Sequence, residues 1–135
     1  MDNDQVETQF PSLVTTPASV RAFLREALQT WRLDGLGDVT ELLADELVAN
    51  VVVHVGQPMT VRAIRTSTRI RVEVDDPSPE PPVLQRPGPE TTRGRGIMLL
   101  DALSTEWGTD LRDTGKTVWF ELDAETARDE VHGTQ

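Results

Sequence analysis

The sequence predicts a two-layer α/β sandwich, and three observations carry that prediction. Thr60 to Thr66 and Ile70 to Val74 alternate apolar with charged residues across the link Thr66-Ser67-Thr68, as a hairpin with one wet face does. A second strand pair, Glu106 to Thr109 and Thr117 to Leu122, flanks a turn signal at Asp113-Thr114-Gly115. Two helical patterns lie apart from both hairpins, and strands that pair locally while helices gather separately form two layers.

Residues Met1 to Thr8 are polar and acidic and read as a flexible N-terminus, with the domain spanning 9–123. Gln9 to Val14 reads as a short strand, confined to an edge by Pro11. Thr16-Pro17-Ala18-Ser19 reads as a helix start, and Val20, Phe23, Leu24, Leu28 and Trp31 follow at helical spacing. Leu33 to Gly37 breaks that helix. A second helix is expected from Asp38, its cap, to Val55, closed by Gly56-Gln57-Pro58 in the usual Gly-then-Pro manner.

This second helix carries Leu42, Leu43, Leu47, Val48, Val51, Val52, Val53 and Val55, so it is apolar on nearly every side and expected to be buried. Glu46 and Asn50 stand four residues apart on one face, with His54 a turn further on. A carboxylate and a carboxamide on such a helix are costly unless partnered. Either they satisfy other protein groups, or they form a pre-placed base and a hard oxygen ligand beside a cavity.

Residues Pro77 to Pro89 hold six of the nine prolines, a functional or disordered loop by its composition. A short buried helix follows at Ile97-Met98-Leu99-Leu100 and Ala102-Leu103. Residues 124–135 read as a polar tail. There is no internal repeat and no second domain.

At 135 residues the chain is long enough for a core without staples, and its lack of cysteine excludes disulfides and thiolate metal sites. No apolar run reaches membrane-spanning length and no signal peptide is evident, so a soluble cytoplasmic protein is expected. The net charge of −10 argues against duplex nucleic acid as partner and suits a protein carrying a basic patch.

Asp76, after the strand ending at Val74, is either a turn residue or an acceptor for an exocyclic amine such as that of adenine. Gly94-Arg95-Gly96 opens a helix, where glycines admit a ligand to the backbone and the free N–H groups attract phosphate. Neither a Walker-type loop nor a strand-linked G-x-G-x-x-G occurs.

In order and content, Glu46-x-x-x-Asn50-x-x-x-His54, Asp76-x-Ser78, Gly94-x-Gly96 and Gly115-Lys116-Thr117 together resemble the GHKL (histidine-kinase-like) ATPases. The likeness is greatest to their small single-domain bacterial members, the anti-sigma-factor serine kinases and related ATP-binding regulators. The resemblance implies a mixed, mainly antiparallel sheet with helices on one face, and ATP or ADP with Mg²⁺ as cofactors. It implies that Asn50 holds Mg²⁺, that Glu46 is the general base, and that Asp76 binds the adenine amino group with a water shared with Thr117. Ser78 and the following prolines would form the lid. Gly94, Arg95 and Gly96 would wrap the phosphates, Ile97 follows them in the ATP-binding set, and His54 lies near the same face.

The function expected from the resemblance is that of an ATP-binding anti-sigma factor with protein-serine kinase activity, and the resemblance alone implies a homodimer. It would sequester a sigma factor and phosphorylate an anti-anti-sigma protein. Ser78 and Glu80 stand where fuller adenine motifs carry glycine, and the proline-rich lid is stiffer than a glycine one. The alternatives are a non-catalytic nucleotide-responsive binding module of the same fold and a structural domain without a nucleotide site.

Overall fold

A computed structural model of the protein describes residues 4–82 and 95–124, except the side chain of Arg95. The chain runs β1 (Gln5–Phe10), α1 (Thr16–Thr30), α2 (Gly37–Asn50), β2 (Met59–Arg65), β3 (Arg69–Asp76), α3 (Arg95–Leu103), β4 (Glu106–Arg112) and β5 (Gly115–Asp123). The five strands form one sheet in the order β1-β2-β3-β5-β4. Every neighbouring pair is antiparallel, so the parallel component of the expected mixed sheet is missing among the described strands.

Alternation fixes the two faces of the sheet. Val61 and Ala63 of β2, Ile70, Val72 and Val74 of β3, and Val118, Phe120 and Leu122 of β5 are buried toward the helices. They meet Val20, Leu24 and Leu28 of α1, Leu43, Ala44, Leu47 and Val48 of α2, and Leu100 of α3. A fully buried Leu, Val or Phe side chain contributes about 1.5–3 kcal/mol relative to an exposed one. The two long helices also pack side by side, bridged at the surface by Arg21–Asp45 and Arg25–Glu41.

Two boundaries differ from expectation. The first strand begins at Gln5, taking in residues assigned to the flexible N-terminus, and Pro11 ends it rather than lying within it. Its pairing with β2 runs from Gln5↔Ile64 to Phe10↔Met59. An edge strand held mainly by its backbone ladder, with only Val6 and Phe10 packed on the core, needs little apolar alternation, and so polar a segment therefore carries a weak strand signal. The turn after it is closed by buried Thr16, whose hydroxyl accepts from the Leu13 N–H and donates to the Pro11 carbonyl. The second helix is not capped by Asp38, which lies in its first turn, where a negative charge is favoured by the helix dipole.

The second helix also departs from a uniform α geometry. Beyond Asn50 it continues as a π-helical turn, Val51–Val55, closed by Gly56 at φ 70° with its N–H donating to the Val51 carbonyl. This rotates the last side chains off the α-helical stripe. Val53 and His54 are exposed there, and Leu42 is exposed further up, so the helix is apolar all round in sequence but not buried all round.

Ala124 is buried and donates its N–H to the Thr68 carbonyl, so the fold extends one residue into the expected polar tail. Residues 125–135 of that tail, and residues 83–94, lie outside the described residues. No described helix is long and apolar enough to cross a membrane.

Candidate functional site

Chain connectivity gathers the candidate residues at one end of the sheet. The turn after Asn50 leads through Gly56-Gln57-Pro58 directly into β2, whose Thr60 lies opposite Asp75. On the other side of β3, Asp76 lies opposite Lys116 at the start of β5. The C-terminal end of α2, the last residue of β3 and the first turn into β5 therefore share that end.

Asp76 occupies an inward position of β3, continuing Ile70, Val72 and Val74, and its side chain is 0% exposed. Its Oδ1 accepts the Ser78 N–H at 2.8 Å, which is how an aspartate stabilises a turn two residues on. The same oxygen accepts from Lys116 Nζ at 3.1 Å. Its Oδ2 is buried and has no hydrogen-bond partner among the described residues. Asp76 thus serves both readings of the sequence: one oxygen makes the turn, and the other is an unused buried acceptor. Such an atom costs roughly 1–3 kcal/mol, a cost that a bound donor would remove.

Lys116 stands in the Gly115-Lys116-Thr117 motif without a site role of its own in the sequence reading, and it is the strongest addition. It is the sole lysine of the chain and only 1% exposed. Its ammonium also reaches the Ser78 carbonyl at 3.4 Å. Alternation held the signal, because Lys116, Val118, Phe120 and Leu122 form one period-two series and the last three are evident core residues.

Thr117 makes no direct hydrogen bond to Asp76 among the described residues. It pairs with Asp75, not Asp76, and so lies on the outer face of the sheet. There its hydroxyl donates to Asp75 Oδ1 at 2.6 Å and accepts from Arg112 at 2.9 Å.

That outer face is a lattice of charge. Arg62 bonds Glu7, Glu73 and Asp75, Arg71 bonds Glu73 and Glu121, and Arg69 bonds Glu121 and Glu106. Burial opposes the charge on Arg62, but its hydrogen bonds to Glu7, Asp75 and Glu73 outweigh this and raise its pKa. Burial likewise pushes Glu121 up, and the hydrogen bonds from Arg69 and Arg71 outweigh it and hold its pKa below the ordinary value. Trp119 is clasped within the lattice, with the Arg71 guanidinium 4.0 Å from its ring centre and Gly108 against its edge. A shallow groove of about 300 Å³, lined by Gln9, Pro58, Thr60, Asp75, Asp76 and Pro77, opens along this end of the sheet.

On α2, Glu46 is half-buried and Asn50 is buried at 6% exposure, one helical turn apart on regular α geometry. Neither side chain is free of partners. His54, by contrast, is exposed on the π-helical turn. Gly96 is buried in the first turn of α3, and Ile97 is half-buried beside it. Gly94, the Arg95 side chain and the lid beyond Pro82 lie outside the described residues.

The residues present suit a purine nucleotide and a magnesium ion in different degrees. Buried, unpartnered Asp76 Oδ2 is what an exocyclic amine needs. No group of three or more His, Cys, Asp or Glu could hold a metal by itself among the described residues. Asn50 is the residue that could offer a side-chain oxygen to magnesium bound chiefly by substrate phosphates, as this ion commonly is with one or two protein oxygens.

The histidine kinase-like ATPase domain family matches residues 10–122. The chain is 40% identical over 91 residues to the uncharacterized protein SCO4941 of Streptomyces coelicolor, an overlap of 64% of this chain and 87% of that one. Its fold is similar to the crystal structure of the RsbU and RsbW domains of Rv1364c from Mycobacterium tuberculosis, with a TM-score of 0.67 at 19% identity. That similarity covers 87% of this chain and 32% of the other, so this chain spans about a third of it. From Phe10 to Leu122, which takes in β2 to β5 and α1 to α3, the chain belongs to the histidine kinase-like ATPase domain family, a membership that implies nucleotide binding.

Proposed function

We propose that the protein binds ATP with magnesium at the Asp76 end of the sheet and acts as an anti-sigma factor with protein-serine kinase activity. In this reading it sequesters a sigma factor as a homodimer and phosphorylates an anti-anti-sigma protein on serine. The observation that carries the nucleotide part is the buried Oδ2 of Asp76, without a partner among the described residues, on a side chain oriented through Oδ1 by the Ser78 N–H. The resemblance of the Glu46, Asn50 and Gly96 segments to anti-sigma-factor kinases carries the remainder.

Asp76 accepts from the amino group of the base and rejects bases lacking a donor there, because an unmatched buried acceptor is penalised. Asn50 offers its amide oxygen to the cation, and Glu46, one turn earlier, takes the proton of the attacking serine hydroxyl. The backbone at Gly96, buried at the start of α3, admits the phosphates to the helix N-terminus. Magnesium, when bound with the triphosphate, supplies neutralisation of charge on the phosphate oxygens.

Phosphate transfer from labelled ATP to an anti-anti-sigma protein tests this reading. Glu46→Ala is expected to slow single-turnover transfer by about 100-fold or more while ATP still binds. Equal transfer by variant and wild type would remove Glu46 from the mechanism.

One observation favours the second reading, a nucleotide-responsive module without catalysis. Ser78 is pinned by its N–H to Asp76, and its hydroxyl accepts the Glu80 N–H at 3.3 Å, so the start of the lid has little freedom to close. That reading expects Mg-ATP binding with no phosphorylated product in a single turnover.

A further inference from the structure

We infer that Lys116 reads the nucleotide base together with Asp76, its ammonium donating to N1 of adenine while Asp76 Oδ2 accepts from the amino group. This rests on the nucleotide reading above and adds a specificity-determining residue to it.

A lysine at 1% exposure is rare, because taking an ammonium out of water costs several kcal/mol by the usual estimates for buried ions. The pair balances charge but leaves a hydrogen-bonding position unused: Lys116 Nζ and the Ser78 N–H both converge on Asp76 Oδ1, and Oδ2 has no partner among the described residues. An ammonium has three N–H donors and no acceptor. Two are used among the described residues, on Asp76 Oδ1 and the Ser78 carbonyl. Among the described residues one donor and one acceptor therefore remain, both buried, on side chains 3.1 Å apart.

Adjacent donor and acceptor are the complement of the adenine edge, where the amino group donates and N1 accepts. Oδ2 alone recognises only an amine. Adding a fixed cation at N1 makes recognition two-pronged and direct, and a charged donor forms a stronger hydrogen bond than a neutral one. Placement of the ammonium follows from the backbone. Gly115, at φ 156°, lets β5 start against the carbonyl of Asp76, which brings position 116 beside position 76 in register.

The probe is ATP against 1-deaza-ATP, in which N1 is replaced by a C–H, with 7-deaza-ATP as a control altered elsewhere on the ring. Wild-type protein is expected to bind 1-deaza-ATP about 10- to 100-fold more weakly than ATP, and 7-deaza-ATP within a few-fold of it. Lys116→Met is expected to weaken ATP binding and to bring ATP and 1-deaza-ATP together. Lys116→Gln, which keeps a donor and drops the charge, is expected to retain part of the preference. Circular dichroism confirms that each variant is folded, and the wild-type comparison decides the matter without any variant. Wild-type protein binding ATP and 1-deaza-ATP equally, or folded Lys116→Met keeping the full preference, would overturn the inference and leave ATP binding standing. Failure of wild-type protein to bind ATP at all would overturn the nucleotide reading, and this inference with it.

Discussion

Gly115 lies directly against the backbone of Asp76: a Cβ on Gly115 would stand 2.3 Å from the Asp76 carbonyl oxygen and 3.1 Å from the Cα of Pro77. Both neighbours are main chain, so neither can swing away. This contact sets how closely β5 enters beside β3 and hence where Lys116 meets Asp76.

Glycine substitutions should therefore separate by position. Gly115→Ala is expected to lose at least about 2 kcal/mol, from the backbone clash together with its φ of 156°. Gly56→Ala, in open space but at φ 70°, should lose about 1–2 kcal/mol through conformation alone. Gly37→Ala, in open space with helical φ −58°, should gain about 0.4–1 kcal/mol. Urea midpoints of the three variants check this ranking, and a Gly115→Ala midpoint at or above that of Gly56→Ala would contradict it.

Breaking the buried pair at Lys116 should be costly to stability as well as to recognition. Lys116→Met leaves Asp76 charged and buried with a single hydrogen bond, and a loss of about 3–5 kcal/mol is expected. Combining it with Asp76→Leu removes the stranded charge and should recover most of that loss. A double variant no more stable than Lys116→Met alone, by chemical denaturation, would show that the pair is not coupled.

The outer face gives a pH dependence of known sign. Glu121 has a lowered pKa in the folded protein, so its ionised form is favoured by folding. The corresponding stability is present above the unfolded pKa and is lost as pH falls through the lower, folded value. Wild-type stability should thus decline on acidification below the ordinary glutamate range, and Glu121→Gln should decline less over that interval. Glu121 is half-buried at the rim of a surface charge lattice, so the difference should be modest and should shrink in high salt. Parallel pH profiles for the two proteins would contradict the assignment.

Much of this architecture was legible from alternation and turn chemistry. The two hairpins, the amphipathic first helix and the Gly56-Gln57-Pro58 stop all stand where their patterns place them. What escaped was set by neighbours rather than by local pattern. β1 is recognised through its backbone pairing with β2, and its alternating positions are mostly wet. The π turn after Asn50 leaves no mark in a run of valines, yet it turns His54 to solvent. Among the candidate site residues, Glu46 and Asn50 stand out in sequence because a polar group among core residues is conspicuous, and Asp76 because it ends a strand. Lys116 does not, because lysine is ordinarily a surface residue. Strand parity alone distinguishes it from Thr117, since parity sends Lys116 inward with Val118 and Thr117 outward with Trp119.

The central claim is that the bare oxygen of Asp76 receives a nucleotide base, and titration calorimetry with ATP and Mg²⁺ on wild-type protein and Asp76→Asn tests it most directly. Saturable binding by wild-type protein, abolished or weakened at least about 10-fold in a folded Asp76→Asn variant, is the predicted result. Equal affinity of the two proteins for Mg-ATP, or no heat of binding with wild-type protein at millimolar nucleotide, would contradict it.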